Sequence, residues 1–401
     1  MIDAVGPNEP KVKRKRSMTR QSAPPIAAEG VLELEQQGNG HLRQIEKNFL
    51  PSPEDVRVPN GLVNKYFLKE GQFIEGPSGM ARRRNNRRGG PPHRELTAVD
   101  TVNGFKLREL PEVRPYSELV SEHPDDRLRL SQKPEDPLSM RVVDLITPIG
   151  RGQRGLIVAS PKTGKTILLE QIGCAIAEYY PESHLYILLI DERPEEVTHM
   201  RRTVNAQVVA STSDGTSANH IRIARLVLER ARRQVEMGDD VVILLDSITR
   251  LARASNREQK GRGKTMSGGI DSRALEFPRQ FFGAARNVED GGSLTILGTA
   301  LVDTGSQMDE VIFQEFKGTG NMELVLDRKL AESRIFPAID ITGSGTRREE
   351  LLLDSEELPK VQLLRRALAG LKPTEAMSLL LDKMKKTKSN KDLLDQIKIK
   401  P

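Results

Sequence analysis

The stretch "GLIVASPKTGKTILLEQIGCAI", residues 155 to 176, passes from an apolar run through a short loop of small and basic residues into an apolar helical pattern. Such a loop holds phosphate when backbone N–H groups at a helix N-terminus converge on its oxygens. A Lys then reaches the outer phosphates and a Ser or Thr hydroxyl meets a divalent cation. Gly164 supplies the close backbone approach, Lys165 the charge and Thr166 the hydroxyl. Ala159 stands where the pattern usually starts with glycine, but the position asks only for a small residue as the chain leaves a strand. With a strand before and a helix after, the stretch predicts a nucleotide-binding α/β domain.

Working outward, "LYILLID", "VVILLDS" and "SLTILGTAL" are further apolar runs of strand length, alternating with helical stretches such as "TSANHIRIARLVLERARRQVE". Continuous apolar strands between helices predict a parallel sheet covered on both faces. The domain is expected to span 141–401, ending in helices around "VQLLRRALAGL", "PTEAMSLLLDKMKK" and "KDLLDQIKI". Directly upstream of the phosphate loop, "GRGQRG" (150–155) matches the dinucleotide fingerprint G-x-G-x-x-G. It precedes a strand instead of following one, so it reads as a glycine-rich entry turn, with a role in lining the nucleotide site through Arg151 and Arg154 as the functional alternative.

Residues 30–113 have a different texture, short alternating runs such as "GVLELEQ" and "EDVRVP" divided by Gly, Pro and Asn. They predict a small β-barrel of about five strands. A basic insertion, "ARRRNNRRGGPPHRE" (81–95), with six arginines, interrupts it, and a polar, Pro-dotted stretch (114–140) reads as a linker. Residues 1–29, with "KVKRKR", read as a disordered basic tail.

The 401 residues suit two or three domains. The net charge of +6 suggests a polyanionic partner. The one cysteine, Cys174, cannot close an intramolecular disulfide and is expected on a buried helix face. No run approaches the ~20 apolar residues of a membrane span, and the N-terminus lacks the apolar core of a secretory signal, so the cytoplasm is expected.

Phosphoryl transfer to water also needs a metal-positioning acid, a group that orients water and positive charge on the γ-phosphate. Asp246, ending an apolar strand, suits the Mg²⁺-associated acid. Glu192, at the carboxyl edge of a neighbouring strand, is favoured for orienting water over the shorter Asp191. For the charge clamp the candidates are Arg347, Arg348 and Arg334, with Phe336 as a stacking face for adenine. The glycine-rich "KGRGKTMSGGID" (260–271) and "LVDTGSQMDE" (301–310) are candidate partner loops, since loops after parallel strands carry function disproportionately.

Together these segments resemble the bacterial transcription termination factor Rho family, hexameric RNA-dependent ATPases. The likeness rests on "GLIVASPKTGKT", "LIDERPEEVT", "LLDSITRLARA", "RQFFGAARNVEDGGSLTILGTALVDTGS", "EFKGTGNMEL" and "RIFPAIDITGSGTRREELLL", nearly unbroken from Val142 to Leu353. It implies a RecA-like P-loop ATPase core behind an OB/cold-shock-like RNA-binding barrel. It also implies ATP and Mg²⁺ as cofactors, a homohexameric ring, single-stranded RNA and RNA polymerase as partners, and 5′ to 3′ translocation that ends transcription. By position it implies ATP contacts from Gly150, Arg151, Gly152, Gln153, Arg154 and Gly155, and from Lys162, Thr163, Gly164, Lys165, Thr166 and Ile167. Arg193 sits beside them, Glu192 is the catalytic carboxylate, Phe336 the adenine stacker and Arg347 the finger into the next subunit. Lys264, Thr265, Met266, Ser267 and Gly268 resemble one RNA-gripping pore loop, and Asp303, Thr304, Gly305, Ser306 and Gln307 a second, with Gln307 where the family commonly has Lys.

In the barrel, "GVLELEQQGNGHLRQ" aligns with a segment usually rich in aromatics. Asn39, His41 and Arg57 stand at stacking positions, with Arg43 alongside. Stacking is worth about 1–3 kcal/mol per base, so base reading is expected to be weakened and a salt-sensitive backbone grip by the arginine insertion to take its place. Two other readings are a rotary ATP synthase subunit, whose phosphate loop is richer in glycine and which lacks the two partner loops, and a non-hydrolysing RNA scaffold.

Overall fold

A computed structural model describes residues 26–81, 93–259 and 267–398. Residues 1–25 of the basic tail, most of the arginine insertion, and Lys264, Thr265 and Met266 lie outside the described residues, whereas residues 26–29, expected to be part of that tail, are strand paired with residues 75–78.

The alternation in "VLEL" places Leu32 inside the first strand, β1 (Ile26–Leu34). It pairs antiparallel with β2 (Gly40–Arg43) and, further back, with β4 (Phe73–Met80). β3 (Val56–Val58) joins β2 to β5 (Arg94–Leu96), and β5 returns to β4, so the path β1-β2-β3-β5-β4 closes on itself. Closure removes the exposed edges of the sheet. Short strands β6 (Thr101–Val102) and β7 (Phe105–Lys106) extend from β4, and helix α1 (Asn60–Lys65) follows β3. Leu32, Leu42, Val58, Ile74, Leu96 and Val102 fill the barrel.

The stretch expected to be a free linker is fastened to the second domain. Tyr116 is buried and its hydroxyl donates to the Ala284 carbonyl at 2.5 Å. β8 (Ser121–Glu122) and β9 (Arg127–Leu128) each pair with strands of that domain, and Leu128 and Leu130 enter its core. Tyr116, Leu128, Leu130 and Met140 pack inward while Val120 stays exposed, a spacing too irregular to register as periodic. Helix α2 (Leu138–Ile146) begins before the expected boundary at 141.

After β10 (Ile149–Gly150), the central sheet is built from β11 (Arg154–Ala159), β12 (His184–Glu192), β13 (Gln207–Thr212), β14 (Asp240–Asp246), β16 (Ser293–Leu301) and β17 (Met322–Leu326). They run parallel in the order β13-β12-β14-β16-β11-β17, with β15 (Arg286–Val288) and β18 (Gly345–Thr346) added antiparallel. β11 therefore lies inside the sheet, between β16 and β17. Helices α3 (Lys165–Tyr179), α4 (Pro194–Thr203), α5 (Ser217–Glu236), α6 (Ile248–Gln259), α7 (Glu276–Phe282), α8 (Gln307–Lys317) and α9 (Arg328–Glu332) cover the two faces. Two apolar clusters, one around Ile157 and Ile187, the other around Leu156 and Ile243, mark the two sides of the sheet. α10 (Glu357–Ala369), α11 (Pro373–Met384) and α12 (Asn390–Leu394) occupy the expected C-terminal segments. Cys174 is on α3 but half-buried, with its thiol 3.6 Å from the Thr203 carbonyl.

Candidate functional site

β11 ends at Ala159, and residues 160–164 turn back over its carboxyl end into α3. The turn needs unusual backbone, with Lys162 at φ 68° and Gly164 at φ 90°. At Gly164 a side chain would also approach the Phe336 ring at 3.6 Å. Thr163 ties the loop by donating to the Ser160 carbonyl at 2.8 Å. No side chain caps the first turn of α3, so its N–H groups remain for an anion.

Lys165 points from that turn to two carboxylates, an ion pair with Asp246 and a longer contact of 3.6 Å to Glu192. Asp246 is buried at the end of β14 and accepts from the Thr299 hydroxyl at 2.7 Å. Glu192 is 3% exposed. A register shift in β12 between Ile190 and Glu192, with Asp191 at φ 58°, turns Glu192 inward and leaves Asp191 contributing its carbonyl to Arg250. Burial, then repulsion from Asp246, push the Glu192 carboxyl up to about 7 from an ordinary 4.5, against the pull of Lys165 and Arg250. Arg250, 3.2 Å from Glu192, is a member of this cluster that the sequence reading missed. Its one signal was its place in α6, directly after Asp246. Thr166, half-buried in the first turn of α3, completes a hydroxyl and carboxylate set suited to a hard divalent cation that takes its remaining ligands from phosphate and water.

Beside the loop lies an apolar cavity of about 370 Å³ lined by Leu138, Thr163, Gly164, Ile167, Gln171 and Phe336, among others. Phe336 is 48% exposed and Ile167 62%, forming two apolar walls of a slot sized for a nucleobase. Phe336→Ala is expected to raise the KM for ATP about tenfold, the loss of roughly 1.4 kcal/mol of stacking, with kcat little changed. Steady-state ATPase assays check it. Arg193, exposed at the start of α4, adjoins Glu192 at the mouth of the site.

Residues 150–155 depart from expectation. They lie at the amino end of β11, roughly 16 Å from the phosphate loop at ~3.3 Å per strand residue. Arg151 is engaged there by Asp126 at 2.8 Å, Glu182 at 3.0 Å and Asp240 at 2.5 Å. Gln153 donates to Asn321 at 2.6 Å and accepts from Gly150 N–H at 3.2 Å. At Gly152 a side chain would strike the Asn287 backbone at 2.2 Å, and at Gly150 and Gly155 it would strike packed side chains. These residues brace the fold and do not touch the nucleotide cradle of their own chain. Arg154 is the exception: its Nε has no partner among the described residues, and the nearby charges of Arg286 and Arg347 oppose its own. Arg347 is exposed on that same face, its N–H bonded to the Asn321 carbonyl at 2.8 Å, whereas Arg348 is tied to Glu350 at 2.6 Å. Arg334 adjoins Lys162 around a separate cavity near the phosphate loop.

The second candidate loop leaves the carboxyl end of β16, with Gly305 at φ 74° and Ser306 capping α8 through the Asp309 N–H. Gly305 and Gln307 are exposed and Thr304 donates to Asp309 at 2.5 Å. The visible end of the first loop, Ser267–Gly269, lies against it: a side chain at Gly268 would sit 3.1 Å from the Gln307 carbonyl. The described end of the first loop thus packs against the second.

In the barrel, His41 and Arg57 are cross-strand neighbours, and each is held by a carboxylate, His41 by Glu35 at 2.8 Å and Arg57 by Glu95 at 3.4 Å. Asn39 accepts from the Asn60 N–H at 3.2 Å. Arg43 is not available to RNA as expected. It is 9% exposed and forms 2.5 Å contacts with Glu33 and with Asp55, while Glu33 also binds Arg222 of α5 at 2.8 Å. Arg43 therefore anchors the barrel to the second domain. Arg43→Ala leaves two carboxylates without their buried partner and is expected to cost the barrel about 3 kcal/mol in thermal unfolding.

Two family models match the chain: the RNA-binding domain of the Rho termination factor over residues 28–108, and the nucleotide-binding domain of the ATP synthase alpha/beta family over residues 139–346. The transcription termination factor Rho of Cereibacter sphaeroides is 49% identical over 376 residues, covering 93% of this chain and 87% of that protein. The chain belongs to the transcription termination factor Rho family. The Rho of Aquifex aeolicus is 50% identical over 92% of this chain and 84% of its own length, and that of Pseudomonas aeruginosa 46% identical over 100% and 96%. A type III secretion system ATPase of pathogenic bacteria superposes with a TM-score of 0.57 at 22% identity, covering 78% of this chain and 92% of its own, a likeness of fold. The match to the ATP synthase family reflects this shared core, while the Rho RNA-binding barrel belongs to one reading and not to the rotary one. The chain carries an ATPase domain and an RNA-binding domain, as the sequence implied. Among the described residues no helix is long and apolar enough to cross a membrane.

Proposed function

We propose that this chain is the subunit of a ring-shaped, RNA-dependent ATPase that moves 5′ to 3′ along RNA and ends transcription by dissociating RNA polymerase from its transcript. The observation that carries the reading is the polarity of β11. The phosphate loop and the Lys165, Asp246 and Glu192 cluster sit at its carboxyl end, and the underneutralised Arg154, Arg286 and Arg347 at its amino end. One end of a copy offers phosphate-binding groups and the other a cluster of like positive charges, so repeated head-to-tail contacts complete each site and close a ring.

ATP lies with its phosphates on the N–H groups of 162–166 and its base between Ile167 and Phe336. Mg²⁺ would be held by Thr166 and Asp246 and would neutralise charge on the outer phosphates. Lys165, paired with Asp246, turns to the phosphates as they bind. Glu192, when ionised, accepts the proton of the attacking water, and Arg347 of the next subunit meets the charge that develops on the γ-phosphate. The loops at 264–268 and 303–307 grip RNA in the pore. The barrel, residues 30–113, holds RNA with base stacking weakened: Asn39 and Arg57 carry no ring and are engaged in hydrogen bonds, and the His41 imidazole is the one ring left at these positions. The cytoplasm is the setting this activity requires.

ATPase turnover of the full chain, measured with and without poly(U), poly(A) and poly(C) over a salt series, tests this. Each RNA is expected to stimulate turnover, with similar affinities and a steep fall of affinity with salt. Turnover indifferent to every RNA refutes the assignment. Stimulation by poly(C) alone, with a shallow salt dependence, refutes the account of the barrel.

A further inference from the structure

The phosphate loop and the second RNA loop leave adjacent parallel strands in register, Ala159 of β11 opposite Leu301 of β16. The Val302 N–H donates to the Ala159 carbonyl at 3.2 Å, and there the ladder ends. One residue further on, a side-chain bond replaces it: the Ser160 hydroxyl donates to a carboxylate oxygen of Asp303 at 2.6 Å. Ser160 is 5% exposed and is the first residue of the phosphate loop; its carbonyl also receives the Thr163 hydroxyl at 2.8 Å. Displacing Ser160 therefore moves the cradle, and moving the cradle displaces Ser160.

On the far side, Asp303 opens the loop 303–306 in a left-handed conformation, φ 55°. The end of that loop is fixed, because Asp309 takes Thr304 at 2.5 Å and the guanidinium of Arg253, whose Nε is 2.7 Å away. Between the phosphate loop, Asp303 and α9 lies a cavity of about 450 Å³ lined by Ser160, Val302, Asp303 and residues 325–329. The linked pair thus borders open space instead of packed core, and the loop has room to shift about its anchor at Asp309. A loop that is hinged at one end and held at the other by one charge-assisted bond follows whatever holds it.

We propose that Ser160 is a positioning residue that transmits the state of the phosphate loop to the second RNA loop through its bond to Asp303. The proposal rests on the function proposed above. Because coupling between two binding sites is reciprocal, RNA held at 303–307 would change ATP affinity by the same factor that ATP changes RNA affinity.

The dissociation constant of poly(U) for the full chain, measured with and without a non-hydrolysable ATP analogue, gives that factor. It is compared for the parent, Ser160→Ala and Ser160→Thr. The parent is expected to show a ratio of about fivefold or more, within the usual range for coupled sites. Ser160→Ala should bring the ratio close to one while each ligand still binds alone, and Ser160→Thr, which keeps the hydroxyl, should restore it. A lost packing contact would not be restored by that change. A Ser160→Ala ratio equal to that of the parent overturns the coupling role and leaves the proposed function standing, as does a parent that binds both ligands with no ratio at all. A parent that binds neither RNA nor the analogue overturns both.

Discussion

Glu192→Gln is expected to lower ATP turnover about a thousandfold, within the range of about 10² to 10⁴ that a positioned general base supplies, while leaving ATP binding nearly intact. The amide keeps the shape of the side chain and cannot take the proton of the attacking water. Lys165 retains its pair with Asp246, and the phosphate loop retains its own hydrogen bonds, so the loss falls on kcat. Single-turnover hydrolysis and binding of a fluorescent ATP analogue check the two halves separately. A variant that turns over at the parental rate would remove Glu192 from the role of general base.

The same residue sets a pH dependence. The Glu192 carboxyl is pushed up to about 7, chiefly by burial. The raised value means that the protonated, inactive form is already half-populated near neutrality. Therefore kcat/KM, which reports the free enzyme, is expected to fall tenfold per unit as pH drops below about 7 and to level off above it. The residual rate of Glu192→Gln should lack that limb. Stability runs the other way. An acid whose pKa is higher in the fold than in the unfolded chain disfavours folding progressively as pH rises from about 4.5 to about 7, so Glu192→Gln should melt above the parent at pH 8 and close to it at pH 4.

How far the sequence carried this site depended on whether chemistry travelled with strand polarity. The apolar runs ending in Ala159, Glu192, Asp246 and Leu301 could be read as parallel strands, and the groups at their carboxyl ends converge in the fold. The choice between Asp191 and Glu192 was made on side-chain length. The fold makes it by a different means, the register shift at 190–192 that rotates one carboxylate in and the other out. A one-residue irregularity of that kind leaves no periodic trace. Residues 150–153 stand apart from the phosphate loop of their own chain because closeness in sequence is not closeness in space: the six-residue strand β11 separates them from the loop they precede. Arg43 misled in another way. It lies beside two residues expected to meet RNA, yet Glu33 and Asp55 claim it, and the second link, from Glu33 to Arg222, bridges 189 positions of sequence. Arg250 stayed hidden because only a helix starting straight after Asp246 brings it back over Glu192.

Arg347→Ala is expected to lower turnover about a thousandfold or more, the scale of a lost arginine finger, and its distinguishing property is rescue by mixing. Arg347 lies beyond the amino end of β11, whereas the phosphates of its own chain lie beyond the carboxyl end, so it cannot serve both chemistry and strand geometry in one copy. On the function proposed above, Glu192 and Arg347 therefore serve different active sites of the same ring. When Arg347→Ala and Glu192→Gln subunits are dissociated, mixed equally and reassembled, about a quarter of the contacts pair an intact Glu192 with an intact Arg347, since each occurs with a chance of about one half. Activity should reappear in the mixture although each parent variant is inactive alone. If the finger acted within its own chain, every site in the mixture would still carry one defect and turnover would stay at the sum of the two backgrounds. That outcome would remove the argument for a shared site, and with it the physical reason for reading two opposite ends of β11 as halves of one catalytic centre.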